Sequence, residues 1–162
     1  MISPRNVTSA HVIQALKTGI AAVASIYIAD LVHLPQSYWA AISAIVVMQS
    51  DVETTVGVSR DRLIGTAIGA FLGALFVPFA MGRLLWFGIA IAVTVIICHF
   101  LNLEQSYRLA CVTVAIVMVI SPANHPWPVA LHRFLEVALG IVVALIVTAI
   151  PVGQLHKPGT NV

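Results

Sequence analysis

The order of apolar and polar positions along the chain predicts six helices. Apolar runs, several of them long enough to cross a hydrocarbon layer of roughly 30 Å, alternate with short polar interruptions. Because lipid offers no hydrogen-bond partners to an exposed backbone, such runs are expected to be helical. The runs are continuous and do not alternate in polarity, which disfavours a β-barrel. The predicted helices cover residues 11–32, 38–50, 63–80, 84–103, 108–120 and 129–150.

The interruptions between these runs predict where helices begin and end. Pro35 marks a short break after the first helix. The polar stretch 51–62 is interpreted as a connection, with Asp51 among the plausible N-cap residues of the third helix. Segment 121–128 contains three prolines and is expected to be irregular. Two predicted helices, the second and the fifth, are short, at roughly 13 residues against the usual 20 or so for a span.

The composition of the chain indicates which solvent surrounds the predicted helices. Of 162 residues, 60% are hydrophobic and 9% are charged, and the mean hydropathy is +1.01. A typical soluble domain carries roughly 25% charged residues, so lipid is expected to cover most of this surface. We therefore predict an all-α membrane protein, with residues 1–162 forming one transmembrane domain and no soluble domain. The net charge of +2 is small and scattered, which excludes a nucleic-acid partner.

The distribution of lysine and arginine predicts the orientation of the chain. If both termini are cytoplasmic, six of the eight basic residues lie on the cytoplasmic side, which is a strong positive-inside bias. The predicted location is the bacterial inner membrane, with several passes. The cytoplasmic set is Arg5, Lys17, Arg60, Arg62, Arg108 and Lys157, and the opposite set is Arg83 and Arg133.

Two stretches of the chain resemble each other and predict an internal repeat. Residues 38–48 match residues 107–118, and each stretch is followed by a polar interruption, an arginine, a glycine seven residues later and a proline. The offset corresponds to three helices, so the second half is expected to enter the membrane from the opposite side. The repeats would cover about 11–80 and 84–151. The matching residues are Arg62 and Arg133, Gly69 and Gly140, and Pro78 and Pro151.

Charged residues inside a membrane are expensive and are candidates for function. Arg62 and Arg133 are predicted to lie at opposite mouths, beside the positive ends of helix dipoles that attract anions. Glu136 can pair with Arg133 at i,i+3 spacing, either as a switchable pair or as a static one. Lys17 either extends to lipid headgroups or lines a pathway. No enzyme motif, cofactor site or metal site is found, so the chain is not expected to be an enzyme.

Small residues predict close helix contacts. Gly65, Gly69 and Gly73 form a stripe at four-residue spacing on the third helix, and Gly140 lies at the matching position of the sixth. Such a stripe lets another helix approach closely, and helix packing is favoured over ligand contact.

Several of these residues together resemble the fusaric acid resistance family, also called the aromatic acid exporters. The resemblance lies in YWAAIS at 38–43, Gln49, RLIGTAIG at 62–69 and HRFLEVALG at 132–140. It implies efflux of aromatic carboxylates across the bacterial inner membrane, and distant kinship with plant malate-permeable channels. Larger members usually add a cytoplasmic domain, and no such domain is predicted for this sequence. The residues carried over by position are Trp39, Gln49, Arg62, Gly65, Thr66, Gly69, Arg133, Glu136 and Gly140.

The sequence therefore predicts a transporter or channel for small organic anions, embedded in lipid. The predicted pathway residues are Arg62, Arg133, Glu136, Lys17, Trp39 and Gln49. Six small helices are poor walls for a complete pathway, so a homo-oligomer, with a dimer as the first choice, is expected. The alternative is a non-transporting membrane subunit that scaffolds or regulates a larger assembly. Arg133 locked to Glu136 in a sealed interior would favour that alternative.

Overall fold

The structure is a computed structural model that describes residues 9–79, 84–122 and 125–150. The predicted all-α architecture is confirmed for these residues, which form six helices and one 3-10 turn, Val77–Phe79. Helices α1, α3 and α6 are long and apolar enough to cross a membrane, whereas α2 and α5 have only 10 and 14 residues. The helices are α1 (Ser9–Leu31), α2 (Tyr38–Val47), α3 (Val52–Phe76), α4 (Leu84–Phe100), α5 (Tyr107–Ile120) and α6 (Pro126–Ala149).

Helix α3 begins much earlier than the sequence predicts. The expected start at Leu63 is wrong, because α3 starts at Val52 and the supposed connection is its first three turns. The Asp51 carboxylate accepts a hydrogen bond from the backbone N–H of Thr54 at 2.8 Å, as an N-cap does. This bond lowers the pKa of Asp51 below its ordinary value. Arg62 is therefore well inside the helix and far from its positive end.

Helix α6 also begins earlier than predicted, at Pro126 and not at residue 129. The three prolines predict irregular structure throughout segment 121–128. Pro126 and Pro128 nevertheless fit in the first turn of α6, where the N–H that proline lacks would have no helical acceptor.

The turns that follow α1 and α4 have the same conformation. His33 and Asn102 have positive φ angles of 60° and 55°. After α1, the N–H of Leu34 donates to the carbonyl of Ala29; after α4, the N–H of Leu103 donates to the carbonyl of Cys98. Both turns are Schellman caps, in which a left-handed residue ends the helix. Each leads within a few residues into one of the two short helices.

Two helix contacts in the core also correspond to each other. Gly69 of α3 packs on the backbone carbonyl of Ala110 in α5, and Gly140 of α6 packs on that of Ala40 in α2. In the predicted repeat, α3 corresponds to α6 and α2 to α5, so the partners are exchanged between the halves. This exchange is what two related halves would produce. The opposite orientation of the halves in the membrane stays a prediction.

The arrangement leaves α2, α3, α5 and α6 in contact around the centre of the molecule. Helix α1 packs on α2 and α6, and α4 packs on α5 and α3. Large apolar side chains on the outer faces are exposed, among them Tyr27, Leu84 and Val119 at 71%, 85% and 75%. Such a surface suits lipid and not water. The interior between α2, α3, α5 and α6 is where polar side chains collect.

Candidate anion site

A small cavity of about 20 Å³ lies between the four central helices. Its polar wall consists of two arginines, one tryptophan and two threonines, contributed by all four helices. A cavity that holds one water needs roughly 10–15 Å³, so the cavity admits a water molecule or a compact group such as one end of a carboxylate. The polar lining residues are Trp39 from α2, Arg62 and Thr66 from α3, Thr113 from α5 and Arg133 from α6.

Arg133 is held in a closed ring of polar contacts. Its Nη1 donates to Glu136 Oε2 at 3.1 Å, and its Nη2 donates to Gln36 Oε1 at 2.6 Å. The backbone N–H of Gln36 completes the ring by donating to Glu136 Oε1 at 3.0 Å. The guanidinium also lies 4.2 Å from the ring centroid of Trp39, within cation–π range. Because Arg133 and Glu136 are 2% and 1% exposed, this is a buried ion pair.

Arg62 occupies the matching position of the other half but has no carboxylate partner among the described residues. It is 7% exposed, and its Nη2 donates to Ser43 Oγ at 3.1 Å. Three residues after Arg133 comes Glu136, whereas three residues after Arg62 comes Gly65. The two arginines and the single glutamate therefore leave the site with one uncompensated positive charge. A buried charge without a partner is costly unless a counterion compensates it.

Three of the residues that line the cavity also carry hydrogen-bond donors that are not used. The Nε atoms of Arg62 and Arg133 and the Nε1 of Trp39 are buried and find no hydrogen-bond partner within residues 9–79, 84–122 and 125–150. Each of these N–H groups can only donate. Buried polar groups are normally satisfied, and an exception requires an explanation such as a bound ion or water. Three free donors and a net positive charge favour an anion.

The structure corrects the predicted placement of the two arginines. They do not lie at opposite mouths beside helix N-termini, because both line the same central cavity. Arg62 does not lie at the end of α3 because this helix starts at Val52, about three turns before Arg62. Arg133 lies two turns into α6, and its side chain contacts Trp39 in α2 and Gln36 in the connection before α2.

Two other predicted pathway residues lie away from the cavity. Lys17 Nζ donates to the carbonyl of Ile150 at 2.7 Å and thus caps the C-terminal end of α6. That end is about 25 Å along α6 from Arg133 at 1.5 Å per residue. Gln49 lies in the connection after α2, where its backbone N–H donates to Thr55 Oγ1 at 3.1 Å.

The four predicted packing glycines lie at crowded helix crossings. A Cβ on Gly65 would be 2.6 Å from the carbonyl oxygen of Ser106, and one on Gly73 would be 2.9 Å from Val117 Cβ. Gly69 and Gly140 are still tighter, against backbone carbonyls. The stripe on α3 thus contacts α5 along its length, and this contact brings Thr66 and Thr113 to the same cavity.

Sequence reasoning missed Gln36, Ser43 and Thr113 as parts of the site. One available signal was the pattern Leu-x-Gln-Ser-Tyr, which occurs at 34–38 and again at 103–107. Another was the spacing of Thr55, Ser59, Arg62 and Thr66, which places small polar groups on one helical face. All four are buried.

Comparisons with known proteins agree with this architecture. Residues 11–150 match the family model described as aromatic acid exporter family member 1. The "Uncharacterized transporter YdhK" of Escherichia coli K12 is 30% identical over 137 residues, covering 78% of this chain and 20% of that protein. The "UPF0421 protein YgaE" of Bacillus subtilis 168 is 28% identical over 134 residues, covering 83% of this chain and 38% of that protein. No solved structure matches the chain significantly.

The matched part is thus a minor fraction of these relatives, and it is the helical membrane part of this chain. With its apolar helices and this family match, the protein is a multi-pass membrane protein.

Proposed function

The chain belongs to the aromatic acid exporter family, and we propose that it moves small organic anions, aromatic carboxylates first among them, out across the bacterial inner membrane. The observation that supports this most directly is the buried Arg62, which has no carboxylate partner in the described part of the chain. It lines a cavity whose lining residues carry unused N–H donors. A carboxylate would supply the missing negative charge and accept from these donors. The outward direction and the aromatic class come from the family name and the resemblance.

The physical requirement for transport is that binding is favourable but reversible. Arg133 is already paired with Glu136, and among the residues around this cavity only Arg62 lacks a counter-charge. One monovalent carboxylate therefore neutralises the site, and no second positive charge remains to hold the bound anion too tightly for release. The cavity is too small for an aromatic ring in the conformation described. Entry of such a substrate requires the four central helices to separate, which alternating-access mechanisms provide.

The chain is also proposed to act as a homo-oligomer, with a dimer as the first choice. The proposal rests on the small bundle and on apolar faces that a second copy or lipid can cover. Chemical cross-linking in native membranes tests it.

Flux into proteoliposomes tests the proposed function. The purified chain is reconstituted and benzoate uptake is measured for the wild type, for Arg62→Met and for Arg60→Met. Arg60 is exposed and two residues away on the same helix, so Arg60→Met removes the same charge without touching the cavity. Hydrogen bonds to a charged group contribute about 1.5–3 kcal/mol, so Arg62→Met is expected to reduce uptake about tenfold or more. Arg60→Met is expected to match the wild type.

Two results would contradict the proposal in different ways. Equal uptake by Arg62→Met and the wild type would show that the cavity is not the anion site. Wild-type uptake no greater than that of protein-free liposomes would favour the alternative, a non-transporting scaffold or regulatory subunit. The closed ring of Arg133, Glu136 and Gln36 is the observation that favours this alternative.

A further inference from the structure

Two larger cavities lie on either side of the central one. The first, which we call the His132 vestibule, has about 140 Å³ and is lined by residues that include Gln36, Ile120 and His132. The second, which we call the His99 vestibule, has about 610 Å³ and is lined by residues that include His99, Gln105 and Tyr107. Both carry polar side chains, which suits regions that hydrated ions can enter.

The three cavities follow one another along α5. The His99 vestibule contacts the first residues of this helix, Tyr107 to Leu109. The central cavity contacts its middle, at Val112, Thr113 and Ile116. The His132 vestibule contacts its last residue, Ile120. From 107 to 120 the helix rises about 20 Å at 1.5 Å per residue, which is a large part of the hydrocarbon thickness.

Each pair of neighbouring cavities shares one lining residue. Arg133 lines both the His132 vestibule and the central cavity. Leu109 lines both the central cavity and the His99 vestibule. The two shared side chains differ in chemistry, because one is a paired guanidinium and the other is apolar.

We infer that the anion pathway runs through a single chain along α5, with the Arg133–Glu136 pair as one gate and Leu109 as the other. This inference rests on the proposed function, since it assigns the route of that transport. An anion in the His132 vestibule competes with Glu136 for the guanidinium of Arg133. When the anion replaces Glu136, Arg133 keeps a negatively charged partner while the hydrogen-bonded ring with Glu136 and Gln36 opens. Leu109 closes the other end by excluding water, as hydrophobic constrictions do.

Leu109 is packed tightly on one face and borders a cavity on another. Its Cβ would lie 3.0 Å from a Cβ on Gly65, so only a glycine at 65 leaves α3 this close to α5. Leu109 is half-buried, and its side chain borders an open vestibule on one face. A rotamer change toward the vestibule therefore opens this end to water without moving α3, whereas the passage of an aromatic ring still requires the central helices to separate.

Cysteine accessibility tests the route without measuring transport. The native cysteines are first replaced, as Cys98→Ala and Cys111→Ala, and single cysteines are introduced as His132→Cys, Gln105→Cys or Thr113→Cys. Each variant is labelled with an anionic, membrane-impermeant methanethiosulfonate in right-side-out and in inside-out vesicles. Labelling in SDS establishes that every thiol is present.

The expected pattern is specific. His132→Cys reacts from one side only, Gln105→Cys reacts from the other side only, and Thr113→Cys reacts slowly from either side. Adding Leu109→Ala, or the milder Leu109→Val, accelerates Thr113→Cys about tenfold or more from the Gln105 side alone, which corresponds to a barrier lower by about 1.4 kcal/mol. The control Val119→Ala, on the exposed face of α5, leaves the rate unchanged.

Reaction of His132→Cys and Gln105→Cys from the same side would overturn the route. An unchanged Thr113→Cys rate in both Leu109 variants would overturn the assignment of Leu109 as a gate. If benzoate uptake is normal but either of these results is obtained, the proposed function stands and the route through the chain is wrong. If the labelling pattern is as expected but wild-type uptake is absent, the route stands as a water-accessible path and the transport proposal fails.

Discussion

Replacing Arg133 with methionine is expected to destabilise the protein, whereas the same replacement of Arg62 is not. Methionine has a similar length and no charge, so it removes the ionic contribution while filling much of the space. Arg133→Met leaves Glu136 buried, with the backbone N–H of Gln36 as its remaining partner in the described part of the chain. Removing one member of a buried pair costs about 3–5 kcal/mol, so the free energy of unfolding is expected to fall by this amount.

Arg62→Met removes a buried charge that has no opposite charge beside it among the described residues. The variant loses the hydrogen bond to Ser43 Oγ, worth about 1.5–3 kcal/mol for a charged donor, but avoids a desolvation penalty of several kcal/mol. Ser43 can then donate to the carbonyl four residues earlier, as Ser25 and Thr94 already do. The free energy of unfolding is expected to stay level or to rise by up to about 3 kcal/mol.

The assay is equilibrium unfolding of the purified protein in detergent, followed by tryptophan fluorescence. Trp39 contacts Arg133, so its emission reports on the site. The double variant Arg133→Met with Glu136→Gln is expected to recover most of the loss, because no uncompensated charge remains at this pair. A loss of about 3 kcal/mol or more in Arg62→Met would refute the reasoning, since it would show that the Arg62 charge is compensated in the folded protein.

Three further outcomes are expected. Gly69→Ala and Gly140→Ala place a Cβ against a backbone carbonyl, so they are expected to lower the free energy of unfolding by about 1–3 kcal/mol. Gly88 has open space around it, so the control Gly88→Ala is expected to be neutral or stabilising in the same unfolding assay. Lys17→Met removes the cap of α6 and is expected to cost about 1 kcal/mol, with benzoate uptake within twofold of the wild type; a larger loss of uptake would restore Lys17 to the pathway. Asp51→Ala is expected to destabilise the protein at neutral pH. Because the folded pKa of Asp51 lies below the unfolded value of about 3.9, the difference in stability from the wild type should persist above that pH and disappear as pH falls through the folded pKa. A constant difference in stability down to about pH 2 would contradict this.

The sequence by itself determined the solvent, the fold class and the number of helices. Apolar runs and the scarcity of charge leave a bundle in lipid as the physical solution, and the six runs correspond to the six helices of the described residues. It also identified Arg62, Arg133 and Glu136, because charges inside apolar helices stand out. The start of α3 could not be obtained in the same way, since a polar stretch between apolar runs predicts a loop. Several of its polar residues face the interior and not water, so polarity alone gives the wrong answer.

Only the tertiary structure decided that the two arginines share one cavity. Arg62 and Arg133 are 71 positions apart in the sequence, which says nothing about their distance in space. The prediction that Arg62 lies at a mouth follows from placing the start of α3 at residue 63 and not at residue 52. The meeting of Arg62 and Arg133 depends on how closely α3 approaches α5 and α6 approaches α2, which Gly69 and Gly140 permit at the level of backbone contact. The uncompensated charge likewise became visible only when the structure showed that Glu136 pairs with Arg133 and that Ser43 is the partner of Arg62. Pairing in a membrane interior depends on which side chains a helix crossing brings within reach, and a linear pattern does not contain that geometry.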